Sequence, residues 1–329
     1  MSATRKIARP WLAPLTLLYA AGTGLRSAGL RLGLERVERL QRPVVSVGSL
    51  SAGGAGKTPF VIAIAKLLTE QGLGVDALTR GYGRLDSRPA QVDPQGSAEQ
   101  FGDEPLLISR EASVPVYVAA RRVEAGRLAE ASGARPAVHL LDDGFQHQQL
   151  ARNVDIVLVS SHDLADWLLP AGNLREGLSA LRRADVLAVE AGDDAAISRL
   201  ARLGLTAHRP IWRYRRIMQV PSSEGPMVAF CGIARPQQFF AGLRASGLTL
   251  AASHAFPDHH RYIARDVALL ERLLRESRAA GLVTTAKDQV RLGTSPFSSP
   301  LHTAALQVEL EQPDAVAEWL GRNVVDPSL

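Results

Sequence analysis

Apolar residues along the chain fall into short β-branched runs separated by longer stretches of helical period. The run 43–47 ends at Gly48 and reads as a buried parallel strand, because a strand covered on both faces needs no polar alternation. Residues 49–56 hold only Ser, Ala, Leu and Gly, and Thr58-Pro59 then opens a periodic apolar run over 60–68. Proline suits a first helical turn, where its missing N–H leaves nothing unpaired. Further strands are predicted at 74–78, "VPVYVAA", "AVHLLDDGFQH", "VDIVLVS" and "ADVLAVE", and helices at 101–110 and 122–131. Residues 85–100, polar with Pro and Gly, read as a loop. Short β runs alternating with helices predict an α/β fold with a doubly wound, mostly parallel sheet.

The pattern changes after about residue 205. "RPIWRYRRIMQV" alternates like an exposed ribbon strand, and "MVAFCGIARPQQFF" begins a new βα pattern, followed by "LTLAASHAF" and "GLVTTAKD". "HTAALQVEL" alternates again and is expected to pair antiparallel with 210–220. The expected organisation is a membrane-associated helical segment (1–40), a phosphate-loop core (41–208), a linker strand (209–221), a smaller α/β lid (222–300), and a return strand with a last helix that rejoins the core (301–329). No repeat of fixed period and no low-complexity tract interrupts it.

Composition narrows the class. The 329 residues, 46% hydrophobic, can build two cores. The single cysteine, Cys231, excludes a disulfide framework and fits a reducing compartment. Net charge is +5, and the basic residues cluster: Arg5, Lys6, Arg9, Arg26, Arg31, Arg36 and Arg39 at the amino terminus, then Arg209, Arg213, Arg215 and Arg216. Such clusters favour an anionic surface, whether lipid headgroups, nucleic acid or a phosphorylated substrate, or are solvated surface charge. Residues 11–25 carry no charge between flanking arginines. This is too short to span a bilayer. It has the outline of a signal peptide, but a nucleotide site so close behind would be useless after export. A helix lying in the membrane interface fits better; packing against another domain or subunit is the competing reading.

The chemistry starts at "SLSAGGAGKT". Gly56-Lys57-Thr58 completes a phosphate-loop pattern, but Ser51 stands where its first glycine belongs. Strand, glycine loop and helix follow in the order such a loop needs. Within the loop of Ser51, Ala52, Gly53, Gly54, Ala55 and Gly56, the three glycines would let backbone N–H groups turn toward one centre at the helix's positive end. Lys57 would reach the β- and γ-phosphates, and the Thr58 hydroxyl would hold Mg²⁺. A structural αβ turn is the bland alternative. Asp142 and Asp143 end a strand beside this loop, the place of a magnesium-binding carboxylate, with Gln146 and His147 on the same sheet edge. Asp103-Glu104 opens a helix, where acids also simply complement the dipole. "FPDHHRY" gathers an acid with His259 and His260; it could bind metal, assist a proton transfer, or be a surface loop.

Taken in order, "SVGSLSAGGAGKTP", "TRGYGR", "GDEP", "LLDDGFQH", "LPAGNLRE", "FCGIARPQQF", "FPDHH" and "TTAKDQVRL" resemble the tetraacyldisaccharide 4′-kinase family, the lipid A 4′-kinases of Gram-negative bacteria, over about residues 43–292. The resemblance implies transfer of the ATP γ-phosphate to the 4′-hydroxyl of a tetraacylated glucosamine disaccharide 1-phosphate, at the cytoplasmic face of the inner membrane. It implies that Asp103 takes the sugar hydroxyl proton with help from His259 rather than His260. Glu104, Asp142, Asp143 and Glu176 would order Mg²⁺ and the phosphates. Gln146 and His147 would line the substrate edge, and Arg80, Arg84 and Arg122 are candidates for the lipid 1-phosphate or the ATP tail. No obligate protein partner is expected.

Two rival classes are a nucleotide switch acting through a protein partner and a nucleic-acid binder. Ala52 replaces the lysine that dimerising switch loops carry there, and "TTAKDQ" breaks the spacing of a guanine-reading motif. Aromatic content of 5%, without aromatics interleaved among the basic residues, speaks against nucleic acid.

Overall fold

The computed structural model describes residues 9–133, 137–223 and 225–325. Arg5 and Lys6 of the amino-terminal basic cluster lie outside them, as do the side chains of Arg26 and Arg31 and the end of the expected return segment, 326–329. Twelve strands form one sheet: β1 Val44–Ser49, β2 Val75–Thr79, β3 Ala90–Gln91, β4 Val116–Val118, β5 Val138–Asp142, β6 Val154–Leu158, β7 Val186–Glu190, β8 Ile211–Gln219, β9 Met227–Cys231, β10 Leu250–Ala255, β11 Gly281–Thr285 and β12 Leu301–Leu310. Their order is β10-β9-β11-β12-β8-β7-β6-β1-β5-β2-β4-β3. All neighbours are parallel except β12–β8 and β3–β4.

The first parallel block is buried on both faces, which is why its strands read as unbroken apolar runs. Alternate residues serve opposite layers. Val45 and Val47 of β1 join Phe60, Ile64, Leu106 and Ile108 from the helices Lys57–Glu70 and Asp103–Ala112. Val44 and Leu141 face the helix Arg122–Ala131, and Val157 and Leu187 face the helix Asp194–Arg202. Gly48 is required at the end of β1, because a Cβ there would stand 2.4 Å from the Phe145 Cβ.

The ribbon β8–β12 is shared between the two blocks. Residues 211–214 of β8 pair with β7, and 214–219 pair antiparallel with β12. The first part of β12, 301–304, pairs in parallel with β11. The expected antiparallel partner of 210–220 is therefore the observed one, and it fuses both blocks into a continuous sheet. The helix Pro313–Leu320 then packs on the first core through Val316 and Leu320, with Trp319 edge-on to Trp212 at 5.6 Å.

Residues 85–100 are not wholly a loop. They hold β3 and the start of a helical turn, Ala98–Phe101, closed by a Ser97/Gln100 capping box. Ahead of β1, the helix Ala13–Arg31 leaves Trp11, Leu17, Leu18 and Leu25 more than 70% exposed around it. Among the described residues, no helix is long and apolar enough to cross a membrane.

Candidate active site

The loop after β1 delivers backbone rather than side chains. Gly53, Gly54 and Gly56 all hold positive φ, at 71°, 67° and 78°. Gly56 caps the helix Lys57–Glu70 without any side-chain cap bond, so the helix amides face the loop cavity. Ser51 explains the irregular pattern. It is not in the left-handed region but bridges antiparallel to Leu174, and the Ala52 N–H donates to the Asn173 carbonyl at 2.8 Å. An extended loop entrance needs no glycine.

Lys57 Nζ lies 3.3 Å from Asp143 and 3.3 Å from the Ser49 hydroxyl. Asp143, itself at positive φ, also binds Arg175 at 2.8 Å. Burial works against its charge, but Lys57 and Arg175 prevail and hold its carboxyl below the usual range. Asp142 is the opposite case. It is buried, Oδ1 has no hydrogen-bond partner, and burial with nearby Glu104 and Asp143 pushes it up to about 7. A divalent cation would relieve both the orphaned oxygen and the crowded charge.

The second cluster gathers residues far apart in sequence. Asp103 Oδ2 accepts from Arg291 Nε at 2.8 Å and from Arg291 Nη2. His259 Nδ1 is 3.2 Å from the same oxygen. Burial opposes the Asp103 charge, yet the His259 hydrogen bond, Arg291 and Lys287 keep it ionised well below the usual carboxylate range. The Asp103 bond in turn raises His259. His260 points elsewhere, to Asp266 at 2.8 Å. The His259 backbone is left-handed at φ 56°, and its N–H donates to the Gly232 carbonyl. Glu104 receives Lys287 Nζ at 2.5 Å. Lys287 and Arg291 share one face of the helix Ala286–Leu292, four residues apart. Buried Asp288 on that helix anchors the junction, bonding Gly232 N–H, the Tyr262 hydroxyl, Thr285 and Arg291.

The structure places the remaining predicted residues as follows. Gln146 donates to the Ser49 carbonyl at 3.0 Å and accepts from Arg175 at 3.2 Å, so it braces the loop. The His147 carbonyl accepts from Arg152. Arg122 is 8% exposed, with Asp143, Arg80, Asp142 and Arg175 around it, and its Nε has no partner. Arg84 packs on Gly81 and keeps Nη2 buried and unpartnered. The orphaned Arg122 Nε, in a guanidinium that feels Asp142 and Asp143, and the orphaned Arg84 Nη2 are each donors free for an anion. Glu176, expected with the metal group, is committed instead to Arg183, whose fork holds both its oxygens at 2.8 and 3.0 Å. Sequence reasoning gave no role to Arg175, Lys287 or Arg291. The four-residue spacing in "TTAKDQVRL" was the available signal for the last two. Among the described residues, no cluster of three or more His, Cys, Asp or Glu side chains forms a metal site.

The family profile for tetraacyldisaccharide-1-P 4′-kinase matches residues 8–325. A tetraacyldisaccharide 4′-kinase of Koribacter versatilis is 42% identical over 316 residues, covering 93% of this chain and 96% of that relative. One from an Acidovorax species is 40% identical, covering 90% and 84%. The crystal structure of LpxK from Aquifex aeolicus in complex with ATP superposes with a TM-score of 0.75 at 30% identity, covering 95% of this chain and 98% of that one. The chain belongs to the tetraacyldisaccharide-1-P 4′-kinase family.

Proposed function

We propose that this chain transfers the γ-phosphate of ATP to the 4′-hydroxyl of a tetraacyldisaccharide 1-phosphate, a step of lipid A biosynthesis. The observation that carries the reading is an ionised carboxylate, Asp103, held by His259 and Arg291 where the second block meets the first. Phosphoryl transfer asks a protein mainly for positioning and charge neutralisation. The amides of 51–58 and Lys57 grip the phosphates. Asp103 accepts the hydroxyl proton as the sugar oxygen attacks, and His259 holds the carboxylate in line and shares the charge it gains or loses. Arg291 keeps Asp103 from being protonated before the substrate arrives. Mg²⁺, when bound, would neutralise the β- and γ-phosphate oxygens; Asp142, Glu104 and the Thr58 hydroxyl are the side chains offered to hold it. Arg80, Arg84 and Arg122 are the candidates for the lipid 1-phosphate, with Gln146 and His147 at the same edge.

The helix Ala13–Arg31 supports action at a membrane surface, at the cytoplasmic face where ATP is available. Its Tyr19 hydroxyl donates to the Arg175 carbonyl at 3.1 Å, and Arg9 N–H donates to Ala171. The helix therefore sits on the segment that carries Arg175, and its apolar side chains point away into solvent. Residues 222–300 act as a lid over the nucleotide.

The decisive assay incubates the protein with [γ-³²P]ATP and acylated disaccharide 1-phosphate, with RNA, or alone. Label is expected on the lipid. Hydrolysis that responds only to a protein partner would replace the kinase with a switch. In co-sedimentation with anionic liposomes, full-length protein should pellet and residues 40–329 should not.

A further inference from the structure

Arg235 is a cation without an anion. It occupies the N-cap position of the helix Pro236–Ala245 in the second block and is half-buried. Among the described residues its guanidinium has neither a hydrogen bond nor an ion pair; only its backbone carbonyl is engaged, by the Gln238 N–H. Its side chain lies on the phosphate loop of the first block. A Cβ added at Gly54 would meet Arg235 Nε at 2.7 Å and Cδ at 2.8 Å. One added at Gly53 would meet the Ala234 Cβ at 3.3 Å. The turn "GIARP" thus rests directly on two of the loop's three left-handed glycines. Gly54 is needed twice: for its positive φ, and because any side chain there would evict the arginine.

A cavity of about 350 Å³ opens from this contact, bounded by the loop and by the carboxyl ends of β6 and β7. It contains carboxylates that could have paired with Arg235, yet each is committed. Glu190 is held by both nitrogens of the Arg216 fork. Asp163 accepts from the Ser160 N–H at 3.0 Å and hydroxyl at 2.7 Å. Asp193 accepts from the Ala196 N–H at 3.1 Å and the Ser161 N–H at 2.7 Å. An arginine left unpaired against a row of backbone donors has a planar fork free for an oxyanion. Beside this loop the fitting oxyanion is a polyphosphate.

We propose that Arg235 is a phosphate-binding residue supplied by the lid, its guanidinium bonding the β- and γ-phosphates of the nucleotide that the loop holds. The charge arrives from the moving block, so docking of the lid and recognition of a triphosphate are one event. An arginine brought to a transferring phosphoryl group from a separate element is an established way to stabilise its charge. The inference rests on the reading of residues 51–58 as an ATP site and needs nothing of the lipid acceptor.

The test is titration calorimetry on the full chain with Mg²⁺ present, using ATP, ADP, AMP and inorganic phosphate as separate ligands. In Arg235→Gln, which removes the charge and shortens the side chain but keeps it polar, ATP affinity should fall roughly 10- to 100-fold. ADP should weaken less, and AMP should stay within about twofold. Arg235→Lys should recover part of the loss for ATP. Equal weakening of ATP and AMP would mean a merely structural role and overturn the proposal, as would unchanged ATP affinity in Arg235→Gln. A thermal melt coincident with wild type shows that the variant is folded; if Arg235→Gln melts early, Arg235→Lys carries the same ligand comparison. Wild-type protein that binds ATP but never labels the lipid would refute the acceptor while leaving this ligand series readable.

Discussion

The phosphate loop and the Asp103 cluster solve opposite problems in the same cleft. The loop is eight consecutive residues, and it presents amides fixed by three left-handed glycines and a helix end. Its turn is encoded locally, with Asn173, Leu174 and Gln146 bracing its entrance from the same block. The cluster joins Asp103 to His259, Lys287 and Arg291 across sequence separations of up to 188 residues, and it exists only when both blocks are folded and docked. Backbone amides cannot change charge, so they suit gripping an anion. Side chains that share protons suit a hydroxyl that must lose one. The difference predicts that damage to the loop is read in nucleotide binding, whereas damage to the cluster is read in turnover and in the docking of the two blocks.

The largest effects separate the two regions most sharply. Lys57→Ala is expected to lower kcat/KM about 10²–10³-fold and to weaken ATP binding. Asp103→Ala is expected to lower kcat about 10²–10⁴-fold, with ATP affinity within a fewfold of wild type. Steady-state kinetics paired with calorimetry decides. Near-wild-type turnover in Asp103→Ala would remove it as the proton acceptor, and lost ATP affinity in that variant would erase the division between the regions.

Next is the junction itself. Arg291 is 7% exposed and serves Asp103 and Asp288, which are 5% and 0% exposed. Arg291→Ala takes the guanidinium from two buried carboxylates, leaving Asp103 only His259 and Asp288 only neutral donors, and removing one partner of such a pair costs about 3–5 kcal/mol. Urea denaturation should show the loss in the second block first, with the phosphate-loop core melting later. A single unshifted transition would show that the cluster does not hold the blocks together.

These regions were unequally legible for the same reason. The run "GGAGKT" and the apolar strands encode their structure over a few residues, so period and composition suffice to place them. The ribbon β8–β12 was legible because alternation survives on half-exposed strands. The function of Arg291 was not, because nothing local distinguishes a helical arginine that crosses to another block from one that faces water. Glu176 shows the reverse hazard. An acid beside the right motif was expected near the metal, but its neighbour seven residues on, Arg183, captures it. His259 was preferred over His260 only through the family resemblance, because the left-handed backbone that sets His259 apart is not announced by the sequence.

A pH experiment separates the regions by sign. Asp142 lies at the loop and is pushed up to about 7. A carboxylate raised above its unfolded value, about 3.9, contributes destabilisation above that value that is complete once pH passes 7. Asp142→Asn should therefore raise the melting temperature by a few degrees at pH 8 and by much less at pH 4. Asp103 is depressed, so its contribution is present above the ordinary carboxylate range and lost only in strong acid. Asp103→Asn should lower the melting temperature at both pH values. Equal shifts for Asp142→Asn at pH 4 and 8 would place its ionisation outside this window.

The smallest expected effect tests the cluster's own selectivity. His259 and His260 are neighbours of one residue type, so position is all that separates them. His260 stacks on Phe256, with ring centres 4.7 Å apart, and bonds Asp266; His260→Ala should leave kcat within about twofold while lowering stability by about 1 kcal/mol. His259→Ala should lower kcat at least tenfold. His259 is raised by its bond to Asp103, so its bridging contribution is full below the ordinary histidine value and fades as pH climbs through the raised one. The kinetic gap between His259→Ala and wild type should therefore narrow in alkaline buffer, and the gap for His260→Ala should not move. If the two variants exchanged these behaviours, the proton-handling half of the site would have to be rebuilt around Asp266.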